Sequence, residues 1–249
     1  MDIALSFRWS SAAATHPGRV RRVNEDAVLD RADAGVWLVA DGMGGHHRGD
    51  LASRTLVNMI DEMPVAEEPE RLRDMVATAL AAANDRLIAL AQEQAPGQVI
   101  GTTAALLAVA RDQALIAWVG DSRVYRLRDG RLEQMTEDHS RVQDLVRQGL
   151  LAPEDAENHP AANVVTRAVG AGAALQPDFR FVPLADNDAF LLCSDGLTKA
   201  LARARIETVL KTGSSGDCAA LLIAEAVEAG ATDNVSVIVI RVEERTAGR

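Results

Sequence analysis

The chain has 249 residues, 48% of them hydrophobic and 25% charged, which is typical of an ordinary globular protein with a sizeable core. Its formal net charge of -10 at pH 7 disfavours a nucleic-acid partner, because phosphate backbones are held by clustered Lys and Arg. No apolar run approaches the roughly 18 residues of a membrane helix and the N-terminus lacks a signal peptide, so the sequence predicts no membrane contact and a cytoplasmic location.

Both strands and helices are predicted in the first half of the chain. The apolar run 36–40 indicates a buried strand, and helical spacing of apolar residues predicts helices over 49–63 and 69–94. Beyond residue 101 the pattern changes to short strands with tight turns. The strands are predicted at 102–109, 114–119 and 124–127, with an Asp-Gly hairpin turn at 128–131. Because the loops between them are short, this part of the sheet is predicted to be antiparallel.

Residues 139–170 form a polar, Pro-interrupted segment with one short predicted helix over 140–148. Long loops in compact domains are usually functional, so we interpret the segment as a flap-like surface insertion. The remaining predicted elements are strands at 179–182, 189–193 and 235–242 and helices at 204–211 and 215–229. We expect one domain over 1–242 and a disordered tail over 243–249.

Acidic residues recur beside the predicted strands. They are Glu25, Asp26, Asp41, Asp121, Asp195 and Asp233. Carboxylates at such positions can converge on one rim of a sheet, and hard divalent cations such as Mg²⁺ and Mn²⁺ prefer oxygen ligands. A single Asp after a strand is usually a turn former, so only the whole set favours a cation site over that structural alternative.

The motifs that contain these acids follow one another in a recognisable order. They are Arg-x-x-Asn-Glu-Asp (21–26), Asp-Gly-Met-Gly-Gly-His (41–46), Gly-Thr-Thr (101–103), Gly-Asp-Ser-Arg (120–123), Asp-His-Ser (138–140), Asn-x-x-Thr-Arg-Ala-x-Gly (163–170), Ser-Asp-Gly-Leu-Thr (194–198) and Thr-Asp-Asn (232–234). The series resembles the bacterial metal-dependent protein phosphatases of the type 2C (PPM) family. The resemblance implies an α+β fold, a four-layer α-β-β-α sandwich with two central antiparallel sheets. It also implies hydrolysis of phosphoserine and phosphothreonine by a water that bridges two Mn²⁺ or Mg²⁺ ions.

The resemblance assigns a role to each motif residue. Asp41 would bridge the two ions, and the Gly42 carbonyl would add an oxygen to one of them. Asp195 and Asp233 would serve one ion, and the other would be held by a second pair, directly or through water. That second pair is Glu25 and Asp26. Arg21 would bind the phosphoryl group, which its planar fork of donors suits. Asp121 matches an acid that binds a third metal in some members.

Two positions depart from the wider family. Met43 stands where eukaryotic members carry a histidine thought to protonate the leaving group, and a thioether cannot transfer a proton. The general acid is therefore unassigned, with His46 and a metal-bound water as candidates. Lys199 stands where some members have an aspartate that helps to bind a third metal, which puts the third-metal role of Asp121 in question. The adjacent pair His46 and His47 indicates a surface position near the cleft mouth.

The expected partners are phosphorylated proteins and a cognate bacterial Ser/Thr kinase. Some relatives of this size serve Gram-negative secretion systems, and this is one further expected role. Two other hypotheses stay open on the residues alone. A catalytically silent phosphoprotein-binding module would not need the complete acidic set, and a two-metal phosphodiesterase for a small molecule would need a nucleotide-gripping motif that the sequence lacks.

Overall fold

Blocks of strands and blocks of helices follow one another along the chain, in a computed structural model that describes residues 7–44, 48–94 and 96–245. One sheet contains strands β2 (Asp26–Arg31), β3 (Val36–Gly44), β4 (Ile100–Thr102), β5 (Ala104–Ala110), β6 (Gln113–Val119) and β9 (Asp178–Pro183). The other contains β1 (Phe7–His16), β7 (Arg123–Arg128), β8 (Arg131–Gln134), β10 (Ala189–Cys193) and β11 (Val235–Glu244). Each neighbouring pair is antiparallel, in the orders β2-β3-β5-β6-β9, with β4 on β3, and β1-β11-β10-β7-β8.

Helices cover the outer face of each sheet. The first sheet is covered by α1 (Gly49–Asp61) and α2 (Pro69–Gln94). The second is covered by α4 (Asp195–Ala200), α5 (Arg203–Leu210) and α6 (Ser215–Glu228). The remaining helix, α3 (Arg141–Arg147), and a 3-10 helix over Pro153–Asn158 lie in the segment 139–170. This arrangement confirms the predicted α-β-β-α sandwich.

Strand alternation explains why both faces of each sheet are apolar. In β3, Val36, Leu38 and Ala40 pack under α1 and α2, while Trp37 and Val39 face the other sheet. In β10, Leu191 and Cys193 likewise pack toward the helices, and the residues between them face inward. Since successive side chains of a strand point to opposite faces, two covered faces require a nearly continuous apolar run. The short runs in the sequence are therefore the central strands.

Several predicted boundaries were wrong, each for a local reason. The predicted strand 102–109 is interrupted at Thr103, whose backbone amide donates to the Asp41 carbonyl at 2.8 Å. The last strand continues to Glu244 rather than stopping at residue 242, because Glu243 pairs with Arg8 of β1. Part of the expected disordered tail is thus ordered strand, and residues 246–249 lie outside the described residues. The first helix ends at Asp61 rather than at residue 63.

Strands β1, β2 and β8 and helix α4 were not predicted. The Ser- and Ala-rich sequence of β1 has little hydrophobic contrast, although it pairs with β11 over its whole length. Helix α4 is only six residues long and begins in the Ser-Asp-Gly motif. Among the described helices, none is long and apolar enough to cross a membrane.

Candidate metal and phosphate site

An acidic cleft of about 600 Å³ opens at one end of the two sheets. Its walls include most of the residues singled out in the sequence: Arg21, Glu25, Asp41, Gly42, Asp121, Asp195 and Asp233. Met43 and Lys199, the two departures from the family pattern, line it as well. His46 and His47 lie outside the described residues.

Sheet topology brings the acids to this one end. Asp26 begins β2 and pairs with Asp41 across the antiparallel β2–β3 ladder. In the other sheet, Asp195 opens α4 directly after β10, and Asp233 precedes the neighbouring strand β11. Because β10 and β11 are antiparallel, the end of one strand and the beginning of the next meet at the same edge.

The Asp41 backbone is fixed by the Gly-Thr-Thr motif. Thr103 Oγ1 accepts a hydrogen bond from the Asp41 amide at 3.0 Å, and Thr102 Oγ1 donates to the Asp41 carbonyl at 3.0 Å. The same Thr103 hydroxyl contacts Ser122 Oγ at 2.7 Å. The motif therefore holds Asp41 and connects it to the Gly-Asp-Ser-Arg corner.

Two glycines let Glu25 approach the Asp41 loop. The Glu25 carbonyl accepts from the Gly42 amide at 3.1 Å, and its Oε1 accepts from the Gly49 amide at 3.1 Å. A Cβ on Gly42 would lie 2.0 Å from the Gly49 carbonyl oxygen, so only glycine permits this approach. Asn234 Oδ1 in turn accepts from the Glu25 amide at 2.8 Å, and Asn234 Nδ2 donates to the Pro17 carbonyl at 3.0 Å.

Asp26 is the one predicted ligand that does not line the cleft. It is 7% exposed, and its Oδ2 accepts from Ser194 Oγ at 2.8 Å and Ser236 Oγ at 2.7 Å. Its Oδ1 is buried without a hydrogen-bond partner in the described structure, and so is Asp195 Oδ1. Buried carboxylate oxygens are rarely left unpaired, so both atoms point to a cationic partner.

Two basic side chains already approach the acids. Arg21 binds Asp233 through two contacts, Nε to Oδ1 at 3.0 Å and Nη2 to Oδ2 at 3.2 Å. Lys199 Nζ contacts Asp195 Oδ2 across one turn of α4. The Arg21 side chain is 52% exposed, which leaves it free to reach a group in the cleft.

Burial and mutual repulsion raise the pKa of the central acids. Desolvation, followed by the charges of Asp26 and Asp195, raises the pKa of Asp41 well above its usual value. Desolvation also raises the pKa of Asp26 to about 6, although its serine hydrogen bonds oppose the change. For Asp121, desolvation and Asp195 raise the pKa to about 7. The ionised cluster is thus unfavourable until positive charge enters it.

These residues fit hard divalent cations. The carboxylates offer oxygen ligands, which Mn²⁺ and Mg²⁺ prefer. Two of these oxygens, Asp26 Oδ1 and Asp195 Oδ1, are buried without a hydrogen-bond partner in the described structure. Within the described ranges, no three His, Cys, Asp or Glu side chains are close enough together to hold one metal ion. Asp233 and Asp195 are turned instead toward Arg21 and Lys199.

Sequence reasoning assigned no roles to the polar residues that hold the acids. These are Thr102, Thr103, Ser194, Asn234 and Ser236. All but Ser236 lie inside the quoted motifs, so their positions beside the acids in those motifs could have identified them as supporting residues.

The chain is similar over nearly its whole length to bacterial serine/threonine phosphatases. Residues 18–215 match the family model for protein phosphatase 2C. The serine/threonine phosphatase stp of Listeria welshimeri is 35% identical over 243 residues, covering 94% of this chain and 96% of the relative.

Solved structures agree with this similarity. PppA, a regulatory component of the T6SS in Pseudomonas aeruginosa, is 40% identical with a TM-score of 0.87, covering 94% of this chain and 98% of that one. The catalytic domain of the phosphatase PstP, solved with 2 manganese ions, is 32% identical with a TM-score of 0.86, covering 96% of this chain and 100% of that one.

Proposed function

The chain belongs to the protein phosphatase 2C family, and from that premise we propose that its acidic cleft holds the divalent cations with which it hydrolyses phosphoserine and phosphothreonine. The activity is that of a metal-dependent protein-serine/threonine phosphatase, with Mn²⁺ or Mg²⁺ as cofactor. The proposed ligands are Glu25, Asp26, Asp41, Gly42, Asp195 and Asp233. The observation that carries the assignment is that five of these residues line one cleft while Asp26 lies buried beside Asp41. The Oδ1 atoms of Asp26 and Asp195 are buried without a hydrogen-bond partner in the described structure.

Two cations held there would supply positive charge to the phosphoryl oxygens and lower the pKa of a water near phosphorus. The chain's own residues prepare that chemistry. Asp41 of β3 lines the cleft, its backbone amide donates to Thr103 Oγ1, and its pKa is raised by desolvation and by its acidic neighbours. The ionised cluster therefore favours cations over an empty cleft.

Arg21 is the proposed phosphate-binding residue. Its guanidinium now forms a two-pronged contact with the Asp233 carboxylate, and a phosphoryl group offers the same pair of oxygen acceptors. Since the side chain is half exposed at the cleft wall, we propose that it exchanges the Asp233 carboxylate for the phosphoryl group of a substrate in the cleft. The exchange would free Asp233 to face a cation.

Asp121 is proposed as a ligand of a third metal ion, for which the Lys199 ammonium is a competitor. Lys199 lies in the same cleft and its ammonium contacts Asp195. Burial, the largest single effect, lowers the pKa of Lys199, but the charge and hydrogen bond of Asp195 together with the charges of Asp121 and Asp233 outweigh it, and the net effect is a raised pKa. The charged ammonium supplies positive charge near Asp121 and would compete with a third ion for this carboxylate.

The activity is tested with a phosphothreonine peptide and the purified chain. We expect phosphate release with added Mn²⁺ or Mg²⁺ and none after EDTA treatment, with recovery when Mn²⁺ is returned. Full turnover by metal-stripped protein would refute the metal-dependent mechanism. Peptide binding without turnover under any metal condition would instead indicate the silent-module alternative, which the phosphatase relatives do not favour.

Substrate selection is proposed to involve the flap-like segment 139–170. The segment contains α3 and returns to the cleft at Val165, which pairs with Ser140 and lines the cleft wall. Deleting residues 150–158 should change peptide preference more than turnover of a small aryl phosphate. Equal losses on both substrates would contradict a role in selection.

The partners follow from the reaction class. We propose phosphorylated cytoplasmic proteins as substrates and a Ser/Thr kinase as the opposing enzyme. The similarity to PppA, a T6SS regulatory component, supports a role beside a secretion system. Phosphoproteomes of a deletion strain test this proposal, because secretion-system phosphosites should accumulate; an unchanged set of those sites would argue for a different pathway.

A further inference from the structure

His139 is a buried histidine that the proposed chemistry does not use. It is 3% exposed and lies at the start of the segment 139–170. Its ring stacks on the Trp118 indole with a centroid separation of 6.3 Å, and Trp118 Nε1 donates to the Glu137 carbonyl at 2.8 Å. The ring is therefore fixed on one face by β6 and cannot turn freely.

Both ring nitrogens are engaged, and the partners define the tautomer. The Gly120 amide donates to Nδ1 at 3.1 Å, so Nδ1 is an acceptor without a proton. Nε2 lies 2.9 Å from Asp178 Oδ2, an acceptor, and 3.4 Å from Arg167 Nη1, a donor. Because Nδ1 accepts from Gly120 and the Asp178 contact is the shorter of the two, the proton of the neutral ring lies on Nε2. Burial lowers the pKa of His139 although the Asp178 hydrogen bond opposes it, which keeps the ring neutral near pH 7.

The Gly120 contact leads directly to the cleft. The His139 amide also donates back to the Gly120 carbonyl at 2.9 Å, so the two residues are joined by two hydrogen bonds. Gly120 has φ of 104° and precedes Asp121, and Ser122 contacts Thr103, whose hydroxyl accepts from the Asp41 amide. The corner thus links the His139 ring to the backbone of Asp41.

The two ends of the flap-like segment meet at the same histidine. The His139 carbonyl accepts from the Thr166 amide at 2.8 Å, and the adjacent Ser140 pairs with Val165 of the cleft wall. A displacement of the ring would be passed to the corner on one side and to both roots of the segment on the other.

We propose that His139 is a positioning residue that holds the Gly120–Ser122 corner, and with it the Asp121 carboxylate, through the hydrogen bond from the Gly120 amide to Nδ1. The expected effect on kcat rests on the proposed phosphatase function, whereas the expected effect on the Gly120 amide does not. A histidine with a merely structural role would affect turnover through its ring volume or its Asp178 contact. If His139 is a positioning residue, turnover should depend on the Nδ1 acceptor alone.

Three variants separate the two ring nitrogens. In His139→Asn the amide oxygen takes about the place of Nδ1 and keeps an acceptor for Gly120, but it loses Asp178. In His139→Gln the longer amide reaches toward Asp178 and leaves Gly120 without its partner, and His139→Ala removes both contacts. A matched control is Asp188→Asn, since Asp188 is equally buried and binds Arg128 at the opposite end of the strands.

The first readout is the amide hydrogen exchange of Gly120, measured by NMR on the metal-free protein. Exchange should remain slow in wild type and His139→Asn and should accelerate in His139→Gln and His139→Ala. The second is kcat with Mn²⁺ on a phosphothreonine peptide and on a small aryl phosphate. Loss of the buried contact should lower kcat roughly fivefold to hundredfold on both substrates in Gln and Ala, with Asn within about threefold of wild type.

Equal loss of kcat in His139→Asn and His139→Gln, or unchanged Gly120 exchange in all variants, would overturn the proposal. So would an equal fall in kcat in Asp188→Asn at a matched loss of melting temperature. If the Gln and Ala variants do not fold, the nitrogen-15 spectrum of wild-type His139 decides, because a proton on Nδ1 is incompatible with the contact. A wild type that folds with a protected Gly120 amide but shows no phosphatase activity would count against the proposed function and not against this contact.

Discussion

Replacing Asp121 by Asn should stabilise the metal-free protein, and the gain should grow as the pH rises. Asp121 is 8% exposed and lies among acids, and desolvation together with Asp195 raises its pKa from 3.8 to about 7. At about 1.36 kcal/mol per pKa unit, keeping this carboxylate ionised costs the folded state roughly 4 kcal/mol. Asn has nearly the same shape and carries no charge, so it removes that cost.

The direction of the pH dependence follows from which state holds the proton. Below pH 3.8 the carboxyl is protonated in both the folded and the unfolded chain, and no cost arises. Between pH 3.8 and about 7 the unfolded chain ionises first, so stability is lost as the pH rises toward the folded pKa. The gain from Asp121→Asn is then about 2 kcal/mol at pH 5 and about 4 kcal/mol at pH 8.

The assay is thermal unfolding of EDTA-treated wild type and Asp121→Asn at pH 5 and pH 8. In a domain of this size about 1 kcal/mol moves the melting temperature by roughly 2–4 °C, so the variant's advantage should widen by about 4–8 °C between the two pH values. Asp129→Asn is the control, because Asp129 is exposed in the hairpin turn and its replacement removes the same charge. An advantage of equal size at both pH values would refute the reasoning.

Three further predictions concern cations, substrate and backbone. Asp41→Asn should abolish most of the stabilisation by Mn²⁺, which for a single site at a hundredfold excess over Kd is about 2.7 kcal/mol, and an undiminished rise in melting temperature would remove Asp41 from the site. Arg21→Lys should raise KM for a phosphothreonine peptide about tenfold, because a point charge replaces the two-pronged fork; an unchanged KM would exclude phosphate binding by Arg21. Gly120→Ala should lower the free energy of unfolding by at least about 2 kcal/mol, since φ is 104° and the new Cβ would lie 2.6 Å from Thr103 Cγ2. Gly97→Ala, with φ of 82° and no atom within 4 Å of the new Cβ, is its control and should cost less in the same urea titration.

The central strands could be predicted because each has a strong local signal, and the acidic set could be predicted because its motifs occur in a recognisable order along the chain. Runs such as 36–40 and 189–193 are continuous apolar stretches between polar turns, and β10 occupies the predicted residues. The acids were found through motif order, and the cleft gathers Asp41, Asp195 and Asp233. Local pattern thus predicted the core strands, and the order of the motifs predicted the candidate ligands.

Features that depend on partners distant in sequence were not predictable in this way. Strand β1 is held by pairing with β11, more than 200 residues away, and its own sequence is nearly neutral in strand preference. The position of Asp26 below the cleft depends on Ser194 and Ser236, which arrive from the other sheet. No local pattern records which serines will meet which carboxylate.

The same long-range contacts explain why the acids can be held together before a cation binds. Repulsion within the cluster is partly offset at its margins, where Arg21 contacts Asp233 and Lys199 contacts Asp195. At the centre, desolvation is the leading cause that raises the pKa of Asp41, and the charges of Asp26 and Asp195 raise it further. Crowding these acids therefore lowers the stability of the metal-free fold and raises the affinity of the centre for cations. Because the cations bind only the folded state, their binding stabilises that state again. A variant that neutralises the centre should accordingly gain stability without metal and lose it with metal, which is the opposite of what removal of an ordinary core contact produces.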